Sequence, residues 1–144
     1  MKKFIVMLFA MISVVSAKAF EFDGIDLNST TVKVTRDVAS KGYTYDIEKG
    51  CLKGICNGQE IYLSFNTEDV KEKNKIGQLI VDVPMDSADA LKNVTMIFNV
   101  IYHQTSTANG VSTYLVDADG TTLDVKANGA NIVLTYSTPN YSKK

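Results

Sequence analysis

One amphipathic stretch limits the folds open to this chain. In residues 86–103, Leu91, Val94, Phe98 and Ile101 recur at steps of three and four, which places them on one helical stripe. Asp86 or Ser87 is placed to cap its start, and Asp89 falls in the first turn, where a negative charge suits the helix dipole. The segments on either side alternate with a period of two, as strands do. A lone helix set among strands must bury its stripe against a sheet, so the chain reads as α+β.

The first 19 residues stand apart from that pattern. Lys2 and Lys3 precede an apolar run from Phe4 to Val15, and Ala17-Lys18-Ala19 supplies the small-x-small site of a signal peptidase. The run is short for a bilayer span. Cleavage is therefore expected between Ala19 and Phe20, with no membrane span in the mature form. No cysteine follows the site, so a lipoprotein anchor is not expected. The mature protein is expected in the periplasm or secreted. Removing 19 of the 144 residues takes away three lysines and moves the formal charge from −1 to −4. A mildly acidic chain argues against nucleic-acid partners. The remaining 125 residues suit one domain, expected over 20–138, with 139–144 a flexible tail.

Phe20, Phe22, Ile25 and Leu27 alternate around Gly24 and are expected to face the core from a short extended segment. Residues 28–41 read as strand by β-branching but as helix by termination. Lys41-Gly42-Tyr43 fits a Schellman stop, with Tyr43 packing back on Val38, and the helix is preferred. A short strand is expected over Tyr43, Tyr45 and Ile47. Cys51–Cys56 and Gln59–Phe65 then flank Asn57-Gly58, a type I′ hairpin signal. This turn sets Leu52 opposite Leu63 and Gly54 opposite Ile61. Leu52, Ile61, Leu63 and Phe65 fall on the core face, with Lys53, Glu60 and Tyr62 behind them. Residues 66–75 read as a solvated loop, and Ile76–Pro84 as a strand. Residues 103–112 read as a second loop. A three-stranded meander follows over 113–118, 121–127 and 131–137. The expected order is helix–βββ–helix–βββ, with three or four strands in the first half. The two helices pack on an antiparallel sheet built from hairpins.

These motifs carry a resemblance. Phe22-Asp23-Gly24-Ile25, the stop Lys41-Gly42-Tyr43, the strand Leu52-Lys53-Gly54 and the closing Tyr136 resemble a family of small secreted α+β proteins from Gram-negative gut bacteria. Cys56 stands where that family has an aromatic. The resemblance supplies no catalytic residue. The element order is similar to the β-lactamase-inhibitor-like and outer-membrane-assembly-factor (BamE-like) folds, which implies binding or scaffolding and is only an analogy of fold.

Candidate chemistry is sparse. On one strand Cys51 and Cys56 are roughly 17 Å apart and on opposite faces, too far for a disulfide. His103 is the only histidine, which leaves no His cluster for a metal. Asp117-Ala118-Asp119-Gly120 lacks the remaining ligands of a calcium loop and is read as a turn. No phosphate loop or nucleophile elbow is present. No catalytic, cofactor or metal residues are expected. Seven tyrosines without a tryptophan suit either strands or an interface. Tyr62, Ile55, Lys53 and Glu60 form the candidate interaction surface. The leading expectation is a non-enzymatic, monomeric module that binds a protein or envelope component through the uncovered sheet face or through the loops 66–75 and 103–112, with inhibitor or immunity-like roles included. A small periplasmic hydrolase and a structural envelope protein are the alternatives.

Overall fold

The computed structural model describes residues 20–56, 58–85 and 87–142. The expected signal peptide, the Asp86 cap and Asn57 lie outside the described residues. A small hairpin opens the fold, with β1 (Glu21–Phe22) paired to β2 (Ile25–Asp26). Asp23 and Gly24 turn it with φ of 51° and 77°. Next come α1 (Thr31–Ser40), β3 (Thr44–Asp46), β4 (Cys51–Cys56), β5 (Gln59–Asn66) and β6 (Gln78–Pro84). The second half has α2 (Ala90–Ile101), β7 (His103–Ala108), β8 (Val111–Leu115), β9 (Thr122–Asn128) and β10 (Asn131–Ser137).

Strands β3 to β10 form one antiparallel sheet in the order β3-β4-β5-β6-β10-β9-β8-β7. The element order is thus helix–ββββ–helix–ββββ, which corrects the helix–βββ–helix–βββ expectation. The halves mirror each other about the central pair β6 and β10. Each helix buries residues one turn apart, Val34 and Val38 on α1 and Ala90, Val94 and Phe98 on α2, and each is followed by a buried tyrosine, Tyr43 or Tyr102. The strand missed by sequence is β7. It carries Asn109-Gly110 at its turn, with φ of 55° and 78°, but all six of its residues are exposed. A fully exposed edge strand has no apolar alternation to read.

One core lies between the sheet and the helices. The alternate residues Ile61 and Leu63, Leu79, Val81 and Val83, Leu123 and Val125, and Ile132, Leu134 and Tyr136 face it. Register in the β4–β5 hairpin is as the turn dictates, Leu52 beside Leu63 and Gly54 beside Ile61. α1 stops as its sequence indicates. The Gly42 N–H donates to Ala39 O at 3.0 Å and the Tyr43 N–H to Val38 O at 3.3 Å, with Gly42 at φ 92°. This stop throws the Tyr43 ring over Gly54, where a Cβ would overlap ring carbons. α2 begins later than expected, at Ala90 after Asp89, and Asp89 makes no side-chain cap bond.

Phe20, Phe22, Ile25 and Leu27 are all buried. The Phe20 ring stacks on Tyr136 at 4.7 Å between centroids. The 116–121 connection is not the direct hairpin expected at Asp119-Gly120, because β8 ends at Leu115. Asp117 Oδ1 accepts the N–H groups of Asp119, Gly120 and Thr121 at 3.0, 3.1 and 3.0 Å and folds the connection around itself. Burial acts to raise the Asp117 pKa, but the N–H donors from Phe20, Thr121 and Asp119 outweigh it and hold the carboxyl below its ordinary value.

The tail expected from Pro139 onward is tied down over 140–142. Asn140 Nδ2 donates to the carbonyls of Glu72, Lys75 and Ile76, and its Oδ1 accepts the Glu72 N–H at 2.8 Å. The Ser142 N–H donates to Asp69 O at 2.9 Å. One side chain thereby satisfies the backbone of the β5–β6 connection.

Two substitutions test these joints by urea unfolding. Gly54→Ala is expected to cost about 2–3 kcal/mol, because Tyr43 must leave its seat. Asn140→Ala is expected to cost about 2 kcal/mol, because buried carbonyls lose their donor. An unchanged midpoint for either refutes the corresponding contact.

Candidate functional site

The helices and the opening hairpin occupy one face of the sheet. The alternate residues of the same strands, which point away from that core, build the other face, and the ladder register sets them in rows. Lys53 lies beside Tyr62, Tyr62 beside Asp82, Asp82 beside Val133, and Val133 beside Lys126. A second row runs Ser64, Ile80, Thr135, Asp124, Thr113. Ile55 sits opposite Glu60 and is 68 % exposed. The four residues singled out by sequence, Tyr62, Ile55, Lys53 and Glu60, therefore share one patch.

Polar contacts order this patch. The Tyr62 hydroxyl donates to Glu60 Oε1 at 2.7 Å, and Lys49 Nζ lies 4.9 Å from the centre of the Tyr62 ring. Lys53 and Glu60 are 3.8 Å apart. The hydrogen bond to Glu60 is the chief reason that the Tyr62 pKa is pushed up to about 12. Asn131 Nδ2 donates to Asp82 Oδ1 at 2.6 Å, linking β10 to β6 across the centre of the sheet. A shallow hollow of about 220 Å³ lies here, lined by Lys49, Gly50, Cys51, Tyr62, Ser64, Ile80, Asp82 and Asn131. Sequence reasoning missed Lys49, Ile80, Asp82 and Asn131. Asp82 and Asn131 are 49 residues apart and meet only through the β6–β10 ladder.

Cys51 is half-buried, and partial burial followed by the charges of Asp46 and Asp82 raises its thiol pKa, against a smaller opposing effect of Lys49. A thiol held neutral is a poor nucleophile. His103 is on β7, six strand spacings from β4, or roughly 29 Å away, so it has no reach to Cys51. Cys56 points into the core, where burial first and the Asp23 charge second push its pKa up to about 11. Both thiols are free. Among the described residues no group of three His, Cys, Asp or Glu side chains is placed to hold a metal ion. A second exposed apolar area lies on the outer side of α2, around Met96, Ile97, Val100 and Ile101. No helix among the described residues is long and apolar enough to cross a membrane.

Thiol alkylation reads this placement directly. Cys51 is expected to react well before Cys56 in the folded protein. Both rates are expected to be low at pH 7 and to climb as pH rises toward the raised pKa values, because only the thiolate attacks. Equal rates for the two cysteines would contradict their assignment to opposite faces.

Comparison of the chain with protein-family models, with curated proteins and with solved structures gives no match.

Proposed function

We propose that this chain is an exported, non-enzymatic binding module that recognises a protein or envelope component through the sheet face opposite α1 and α2. The observation that carries this reading is that face itself, with exposed Ile55 and the Lys49–Tyr62–Glu60 cluster beside a shallow hollow. Eight strands span roughly 34 Å, and central strands of seven or eight residues run roughly 24 Å. About 800 Å² is the area that one partner contributes to a standard protein interface. At about 220 Å³ the hollow is small for a small-molecule site, which favours a macromolecular ligand. Aromatic and aliphatic groups ringed by lysines and carboxylates suit a mixed interface with a dry centre and a polar rim. An inhibitor or immunity-like role is one form of this reading. The hydrolase alternative is disfavoured because burial and the neighbouring Asp46 and Asp82 charges raise the Cys51 thiol pKa instead of activating it, and a purely structural envelope role leaves the ordered polar cluster without a purpose.

Capture of envelope and culture-medium fractions of the host on the immobilised protein tests the proposal. A reproducible partner is expected. Tyr62→Ala and Ile55→Asp are expected to weaken its capture at least tenfold, and Val100→Asp on α2 is expected to leave it intact. Loss with Val100→Asp but not with Tyr62→Ala would move the interface to α2 and overturn the assignment to the sheet.

A further inference from the structure

The Phe20 backbone nitrogen donates to Asp117 Oδ2 at 2.8 Å, across 97 residues of sequence, in a buried setting. Phe20 is 3 % exposed and Asp117 8 %. The two Asp117 oxygens are used differently. Oδ1 serves the three N–H groups of its own connection, whereas Oδ2 has the Phe20 nitrogen. Among the described residues Asp117 has no Lys or Arg ion-pair partner. The hydrogen bonds to Asp117 already hold its carboxyl in the charged form, so a positive charge at the Phe20 nitrogen would meet a full negative charge at 2.8 Å.

We infer that the mature chain begins at Phe20 and that its α-ammonium group, created by proteolytic processing, seats on Asp117 as a buried ion pair. The inference rests on the export reading. Ala17-Lys18-Ala19 is a signal-peptidase pattern, and the next residue is the one whose nitrogen meets the carboxylate. The covalent step is hydrolysis by an endopeptidase of the signal-peptidase class. One water is consumed, the Ala19–Phe20 C–N bond breaks, the hydroxyl joins the Ala19 carbonyl carbon, and the nitrogen takes the water's other proton and then the proton that the new Ala19 carboxyl releases. A neutral amide donor becomes a full positive charge at the same atom. Phe20 is buried in the folded chain, so the cut precedes closure of the hairpin on the sheet. The ring clamped on Tyr136 then fixes where the ammonium lies.

The sign of the amine pKa separates this arrangement from simple burial. Burial alone lowers an amine pKa, whereas a carboxylate partner raises it. The titratable groups around the nitrogen are Asp117 and, across the Phe20 ring, Tyr136, whose hydroxyl pKa is driven well above its ordinary value by burial. A raised amine pKa contributes stability in full below the unfolded value of about 8, and that contribution is lost as pH rises through the folded value.

The test expresses the full 144-residue chain in a Gram-negative host and recovers the exported protein. Its N-terminus is sequenced, and its amines are pulse-acylated over a pH series with peptide mapping. The expected result is one species starting at Phe20. Its α-amine is expected to react at least tenfold more slowly folded than in denaturant, with an apparent pKa above the ordinary α-amino range of about 7.7–8.0. Lys53 and Lys126 are expected to react alike in both states. Asp117→Asn is expected to restore the Phe20 rate, and the wild-type pKa decides alone if that variant does not fold. An N-terminus other than Phe20 would overturn the processing reading. A Phe20 amine with an ordinary or lowered pKa would overturn the ion pair and leave export standing.

Discussion

Everything in this structure hangs on the ladder between β6 and β10. Seven residue pairs, from Asn131 beside Pro84 to Ser137 beside Gln78, join two helix–ββββ halves into one sheet. The same ladder fixes both faces. Leu79, Val81 and Val83 meet Ile132, Leu134 and Tyr136 toward the helices. Ile80 and Asp82 meet Thr135 and Val133 on the other side. A slip of one residue would exchange the two sets, sending the core to water and the polar row inward. The core requires one register, and that register also assembles the candidate binding face.

Around the seam, distant segments are joined by a few polar or aromatic contacts. Tyr43 takes the space of the side chain that Gly54 lacks, which anchors α1 to β4. Asp117 organises the β8–β9 connection and receives the start of the fold. Asn140 ties the end of the chain to the β5–β6 connection. In each case a buried polar group has its partner, or a glycine has its cover, so ordering the connection does not leave backbone groups unpaired.

Local signals in the sequence were legible where turn chemistry and side-chain period agreed. Lys41-Gly42-Tyr43 identified the end of α1, Asn57-Gly58 the β4–β5 register, and the Leu91, Val94, Phe98, Ile101 stripe the helix α2. Tyr43 and Gly54, from two separate local motifs, touch in the fold. Strand β7 was missed because its Ser- and Thr-rich residues face solvent on every side, leaving only Asn109-Gly110 to mark it. Asn140 was missed because a buried amide is indistinguishable in sequence from an exposed one. Half of the candidate site was legible, since Lys53, Ile55, Glu60 and Tyr62 follow from one hairpin. Asp82 and Asn131 were not, since their meeting depends on which strands become neighbours.

The stacking of Phe20 on Tyr136 has a consequence for timing. The first described residue rests on the last strand, and that strand is also the middle of the sheet. β3 to β6 can pair with one another early, but β6 has no neighbour on its other side until residues 131–137 join it. Such a topology closes the core only when β10 pairs with β6, which brings the opening hairpin, the middle of the sheet and the strand that carries Tyr136 together.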